Sequence, residues 1–260
     1  MRILQLTDLH VFSEPDMRLK GIPTRECLQE VVAFIARHEA PFDHVIITGD
    51  HTHDELPESY EAVREILAEW QDRIWQVPGN HDDRAVMRRV FSHRIAGAPD
   101  ARVHFEFKCG SWLMLGLDTQ LPGEVAGLIQ TDQITWLKQR LDASSVTRVA
   151  LFFHHPPVEL GSPWMDITGL EGRELLHTVI MADERIRLVC CGHVHHESHA
   201  VIGAADVYTT PSTGLQFDPA GSVANFATAP PGYRVIEIDG EDFTTHVVTL
   251  PEIRYTPVNE

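Results

Sequence analysis

Five short clusters of histidine, aspartate and asparagine along this 260-residue chain carry side chains of the kinds that hold metal ions. RILQLTDLH ends in Asp8 and His10, HVIITGD in Asp50, and IWQVPGNHD in Asn80, His81 and Asp82. RVALFFHHPP carries His154 and His155, and RLVCCGHVHH ends in His193, His195 and His196. Each cluster closes an apolar, strand-like run, and open α/β sheets place their ligand sites at the carboxyl ends of strands. In extended backbone, residues two apart share a face, so Asp8 with His10, and His193 with His195, are expected to grip one ion each. Gly49, Gly79 and Gly192 each precede a candidate ligand, where a sharp turn or a close approach is needed. A donor set of imidazoles, carboxylates and one amide suits Mn, Fe, Co or Zn; Ca and Mg favour all-oxygen shells.

Taken singly, each cluster has an ordinary explanation. Gly-Asp is common turn chemistry, Asn-His-Asp can cap a following helix, and an isolated histidine is usually a solvated side chain. G-H-x-H after a strand is the strongest single signal. All five in order, each ending an apolar run, point jointly to one metal centre.

The elements that must position these residues alternate over the first two-thirds of the chain. Apolar runs predict strands at Met1–Thr7, His44–Thr48, Ile74–Val77, Val103–Phe107, Trp112–Leu117, Arg148–Phe153 and Arg187–Cys191. Helical spacing lies between them, from Pro23 to Ile35 and over Pro57–Trp70, Thr131–Leu141 and Glu171–Asp183, with Thr131 the expected N-cap of its helix. Short runs follow at His199–Thr209, Tyr233–Ile238 and Phe243–Leu250. The expected fold is α/β: two mixed sheets packed as a sandwich and flanked by helices, in one domain spanning 1–260, with the strands and loops of 197–260 completing the second sheet. The Pro/Gly-rich Phe217–Pro231 reads as a surface loop bordering the site, and with Glu159–Asp166 it is where selectivity is expected.

Composition narrows the partners. A net charge of −17 disfavours a nucleic-acid polymer, whose binding needs clustered Lys and Arg, but not a small phosphate substrate. No run approaches the roughly 18 apolar residues of a bilayer span, and MRILQLTDLH lacks the features of a signal peptide. Cys27, Cys109, Cys190 and Cys191 show no C-x-x-C spacing and read as reduced thiols of a cytoplasmic protein.

The motifs resemble the calcineurin-like metallophosphoesterases, whose signature runs D-x-H, G-D, G-N-H-(D/E), H-x-P and G-H-x-H. Asp8-Leu9-His10, Gly49-Asp50, Gly79-Asn80-His81-Asp82, His154-His155-Pro156 and Gly192-His193-Val194-His195 match every block. TPSTGLQFDP, with NF and PPGYR beyond it, is similar to bacterial class III 3′,5′-cyclic-AMP phosphodiesterases. This resemblance implies two divalent cations, Mn or Fe first with Co or Zn as alternatives. Asp8, His10 and His195 would hold one, Asn80, His154 and His193 the other, and Asp50 would bridge both. His154, two before Pro156, is chosen over His155 as ligand.

His81 would be catalytic, facing the phosphate, and Asn80, His81 and His195 would touch substrate. The implied reaction converts cyclic AMP to 5′-AMP through a hydroxide shared by the two metals. Glycerophosphodiesters, 2′,3′-cyclic nucleotides and pyrophosphate-linked nucleotides are the rival substrates, and a non-catalytic scaffold of the same fold is the remoter reading. Relatives also suggest a homodimer. His51, His53 and His196 depart from the pattern: they either support the metal ligands from outside or lie at the surface, or else add a further metal contact or a substrate hydrogen bond. Asp82 or Asp54 is the expected partner of the His81 ring.

Overall fold

The computed structural model describes residues 1–39 and 41–258. Its strands in chain order are β1 (Arg2–Leu6), β2 (His44–Thr48), β3 (Ile74–Val77), β4 (Phe105–Cys109), β5 (Trp112–Gly116), β6 (Gly127–Leu128), β7 (Arg148–Phe152), β8 (Leu170–Glu171) and β9 (Ile186–Cys191). They continue with β10 (Ser198–Ile202), β11 (Ala205–Thr209), β12 (Gln216–Phe217), β13 (Phe226–Ala227), β14 (Gly232–Asp239) and β15 (Asp242–Thr249). The α-helices are α1 (Thr24–His38), α2 (Pro57–Ile66), α3 (Arg84–Val90), α4 (Thr131–Asp142), the single turn α5 (Pro163–Asp166) and α6 (Arg173–Ala182).

Two mixed sheets follow from period-two burial. The first has the order β15-β14-β1-β2-β3 and the second β10-β11-β9-β7-β5-β4. Along β1 and β2, Leu4, Leu6, Val45 and Ile47 pack outward against Leu28, Val31 and Ile35 of α1 and Tyr60 and Val63 of α2. The alternate residues Ile3 and Ile46 face the other way and meet Trp112, Met114, Phe152 and Leu188 of the second sheet. The outer face of that sheet buries Leu113, Leu115, Val149 and Leu151 under Ile134, Leu137, Leu176 and Ile180 of α4 and α6. The result is helix, sheet, sheet, helix, with an apolar layer at each of three contacts. A polar bridge crosses the middle layer beneath the strand ends. Gln5 donates to Thr48 Oγ1 (2.9 Å) and to the Cys191 carbonyl (3.1 Å), and accepts from Thr210 Oγ1 (2.7 Å).

Several sequence expectations need correction. The segment 197–260 does not all complete the second sheet. β10 and β11 do, but β14 pairs antiparallel with β1 and carries β15 with it, because Tyr233 and Val235 bury against the first sheet's outer core. The apolar run His199–Thr209 is a hairpin turning at Gly203 (φ 59°), not one strand. Thr131 begins α4, whose N-cap is Gln130; the Gln130 backbone N–H donates to Gln133 Oε1 (2.8 Å). A helix, α3, does follow the Asn-His-Asp cluster, but none of those three residues is its N-cap. Asp83 caps it, accepting from Val86 N (2.8 Å), immediately after the Gly-Asn-His-Asp cluster. No helix among the described residues is long and apolar enough to cross a membrane.

Candidate metal centre

Five parallel strands, β1, β2 and β3 from one sheet and β7 and β9 from the other, bring their carboxyl ends to one place. The seven expected ligands gather there, and all but Asn80 are buried. On one side, His10 Nε2 lies 3.1 Å from His195 Nε2, and His195 Nε2 lies 3.2 Å from Asp8 Oδ1. On the other, Asn80 Oδ1 lies 3.2 Å from His154 Nε2 and 3.1 Å from His193 Nδ1. Asp50 Oδ2 stands between the two, 3.4 Å from both His10 Nε2 and His154 Nε2.

The backbone that achieves this differs from the expected pleat. Asp8, His10, Asp50, His193 and His195 all have positive φ, from 46° to 71°, so they sit in left-handed turns just past their strands. Asp8 and His10 come together because the chain coils back, not because it is extended, whereas His193 and His195, expected to share one ion, part to the two sides of the centre. Left-handed backbone costs a non-glycine residue of order 1 kcal/mol or more each, and such strain persists where surrounding contacts hold it. Those contacts are present: Asp8 N donates to the Gly49 carbonyl (3.1 Å), His10 N to the Asp50 carbonyl (3.0 Å), and His193 N to Asp8 Oδ2 (3.0 Å). Gly79 serves by close approach, since a Cβ there would lie 2.6 Å from Asp50 N and 2.8 Å from Asp50 Cγ.

The donor set itself asks for cations. His195 Nδ1 donates to the Leu215 carbonyl (2.7 Å), which leaves an Nε2 lone pair facing His10 Nε2 and the Asp8 carboxylate. His193 Nε2 donates to the Thr168 carbonyl (3.0 Å), which turns an Nδ1 lone pair onto the Asn80 carbonyl oxygen. Lone pairs set against lone pairs in a buried site repel unless positive charge lies among them. Donors bound at about 2.0–2.2 Å to a common ion stand about 3.0–3.4 Å apart, the spacing found on each side. The residues therefore fit a pair of metal ions.

Titration of the side chains agrees with this. Burial, with His154 alongside, pushes His193 down to about 3, and burial pushes His10 well below its ordinary value against the pull of Asp50. Both are kept as neutral donors. Burial also disfavours a charged His154, but Asp50 and Asp8 outweigh it and hold its pKa up at about 9. Two buried carboxylates thus draw a proton onto His154, and metal binding must displace that proton.

The neighbouring groups resolve as follows. His155 lies close to His154 and His193, but its two ring nitrogens are engaged by Thr119 Oγ1 (2.8 Å) and the Val125 carbonyl (3.1 Å). His81 lines the cavity that opens over the centre, and its backbone N–H donates to Asp50 Oδ1 (2.8 Å). Neither expected aspartate reaches its ring. Asp82 accepts from Gly79 N, His51 Nδ1 and Tyr60 Oη, and Asp54 from Ser13 N and Ser59 Oγ. The His81 ring stacks instead on His53, with centroids 4.5 Å apart, and His53 Nδ1 lies 3.2 Å from His10 Nδ1. His53, for which the sequence left several roles open, is thus brought against both His10 and His81. Its place depends on the long-range bridge between Val11 and Thr52, which no local spacing reveals. His51 is buried against Asp82, and His196 turns to the Val194 carbonyl (2.8 Å), so neither reaches an ion position.

A helix-flanked double sheet with paired His/Asp clusters at its strand ends is the architecture of a dinuclear hydrolase. Residues 1–197 match the model of the calcineurin-like phosphoesterase family, and the chain belongs to that family. It is similar to "3′,5′-cyclic adenosine monophosphate phosphodiesterase CpdA" of Escherichia coli (strain K12), with 32% identity over 99% of this chain and 92% of that protein. It also resembles "Probable glycerophosphodiester phosphodiesterase GpdQ" of Arcobacter nitrofigilis, with 27% identity over 95% of this chain and 92% of that protein. In fold it resembles a solved dimetal phosphatase from Danio rerio, with TM-score 0.63, 14% identity, and 95% and 98% of the two chains covered.

Proposed function

We propose that this metallophosphoesterase hydrolyses 3′,5′-cyclic nucleotides, converting cyclic AMP to 5′-AMP, at a centre of two metal ions. One observation carries the reading: Asp50 Oδ2 is equidistant, at 3.4 Å, from His10 Nε2 in one donor cluster and His154 Nε2 in the other. Asp8, His10 and His195 would hold one ion, Asn80, His154 and His193 the second, and Asp50 both. When bound, such a pair supplies an activated water and neutralises phosphoryl oxygens. The mixed nitrogen and oxygen donors support Mn or Fe, with Co or Zn as substitutes.

The side chains' own work can be stated separately. The Asn80 amide and the His195 ring line the cavity floor where phosphate oxygens would rest. His81, which lines the cavity and stacks on His53, would donate a hydrogen bond or a proton to the departing 3′ oxygen, which leaves protonated. The P–O3′ bond breaks, a bond from phosphorus to the water oxygen forms, and the 5′-monophosphate results. The resemblance to a named cyclic-AMP enzyme over nearly the whole chain supports this substrate, and the likeness to GpdQ keeps glycerophosphodiesters as the second reading. The same reading takes the chain as one domain working in the cytoplasm, which the free thiols Cys27, Cys109, Cys190 and Cys191 support, with a homodimer as the assembly suggested by relatives.

The test is turnover of cyclic AMP, 2′,3′-cyclic AMP and glycerophosphoethanolamine after stripping metal and restoring Mn, Fe, Co and Zn singly. Cyclic AMP should give 5′-AMP alone and with the highest kcat/KM of the panel. A higher kcat/KM for glycerophosphoethanolamine would transfer the assignment to the second reading.

A further inference from the structure

The cavity over the metal centre, about 430 Å³, has two unlike ends. The inner end is the donor cluster. The outer end is built by the two loops in which selectivity was expected, and they join. Trp164 of α5 donates from Nε1 to the Asp218 carbonyl (3.2 Å), and its ring meets Phe217 of β12 at 5.3 Å between centroids. Around this aromatic corner stand three aliphatic side chains from three separate loops: Val125, Ile167 and Val223, which are 51%, 79% and 72% exposed. The loop carrying Val223 is closed by its own bonds, Asp218 N to the Asn225 carbonyl (2.9 Å) and Asn225 Nδ2 to Asp218 Oδ2 (3.1 Å). Large aliphatics held in water on such loops, facing one cavity, mark a binding surface.

Resting on the cyclic-nucleotide reading above, we propose that this wall seats the nucleobase, and that Ile167 and Val223 are specificity-determining residues. A nucleotide has the cavity's own polarity: a charged phosphate for the donor cluster and a flat, largely apolar ring for the wall. A glycerol or ethanolamine ester has no flat apolar part and gains nothing from the wall. The enzyme therefore separates nucleotide from glycerol diesters by the base, while the metal centre treats both alike.

The test compares ligands that share phosphate and sugar. Binding of 5′-AMP and of ribose 5-phosphate to the Mn-loaded protein is measured by calorimetry, for the wild type and for the double variant Ile167→Ser/Val223→Ser. Both positions are solvent-exposed, so the fold is not at stake. The wild type should bind 5′-AMP about tenfold more tightly than ribose 5-phosphate. The variant should lose most of that preference and keep its affinity for ribose 5-phosphate within about twofold. Equal binding of the two ligands by the wild type, or equal weakening of both in the variant, overturns the proposal. So does a variant that keeps the preference but shifts a dimer to monomer in sedimentation, which would give the wall to a second copy. Absence of cyclic-AMP turnover alongside an intact base preference would sink the proposed reaction and leave the nucleobase seat standing.

Discussion

Replacing Gly79 with alanine tests the whole geometry of the centre with one methyl group. Gly79 has no positive φ, so alanine meets no backbone penalty there and the effect is one of space. The new Cβ would lie 2.6 Å from Asp50 N and 2.8 Å from Asp50 Cγ, against the 3.4 Å at which ordinary contact begins. Either Asp50 or the turn bearing Asn80 must therefore retreat by most of an ångström. Asp50 Oδ2 stands 3.4 Å from a ring nitrogen of each donor cluster, so with Asp50 bridging as proposed the retreat would loosen both ions at once. A misplacement of about 1 Å at a reacting centre costs on the order of 10²-fold in rate. Gly79→Ala should show cyclic-AMP turnover down by at least about that factor, and fewer than two metals per chain by elemental analysis, with a native circular dichroism spectrum. A variant that kept both metals and turned over within about threefold of the wild type would refute the bridging position of Asp50.

Other outcomes follow from the same arrangement. His81→Ala should slow turnover by roughly 10²–10⁴-fold with metal content intact, and loss of metal in that variant would make His81 a ligand instead. Asp50→Ala should release both ions together in elemental analysis, whereas loss of one ion alone would show that the clusters are independent. His53→Leu should weaken metal binding by about 10–100-fold, with His53→Gln recovering part of it by offering His10 Nδ1 an acceptor, both read by competition with a chelator. His104, pushed down to about 4 by its burial beside Trp136, stays neutral in the fold but takes a proton when unfolded. The unfolded chain therefore binds the extra proton between pH 6.5 and about 4. That stability is fully present above pH 6.5 and is lost as pH falls, by up to about 3 kcal/mol. Denaturation midpoints at pH 7.5 and 5 should differ less in His104→Phe than in the wild type, and an unchanged difference would acquit His104.

What the sequence made legible is what local pattern encodes. His44–Thr48 and Ile74–Val77 were readable to the residue because short, mostly apolar runs end at glycine or proline. The gathered donor side chains were readable because each follows such a run. What escaped depends on distant partners. The choice of sheet for β14 is settled by pairing with β1, more than 200 residues away in the chain. His53 owes its role to His10, 43 residues before it. The left-handed turns at Asp8, His10, Asp50, His193 and His195 are uncommon even for Asp and His, which adopt them more readily than most residues, so the apolar runs before them pointed to extended backbone in their place. The helix after Asn-His-Asp could be entertained but not its bounds, since its cap is Asp83, one residue past the cluster.

Four of the gathered donors hang from the first sheet and three from the second, and the last of them, His195, lies three-quarters of the way along the chain. During synthesis, Asp8, Asp50 and Asn80 therefore emerge long before the imidazoles that complete their surroundings. An amino-terminal fragment ending before His193 would lack donors of both clusters, so loading of both ions would wait until most of the polypeptide has left the ribosome. Once seated, the ions would stitch the two sheets together across their seam, so chelation should lower the temperature of unfolding as well as abolish activity.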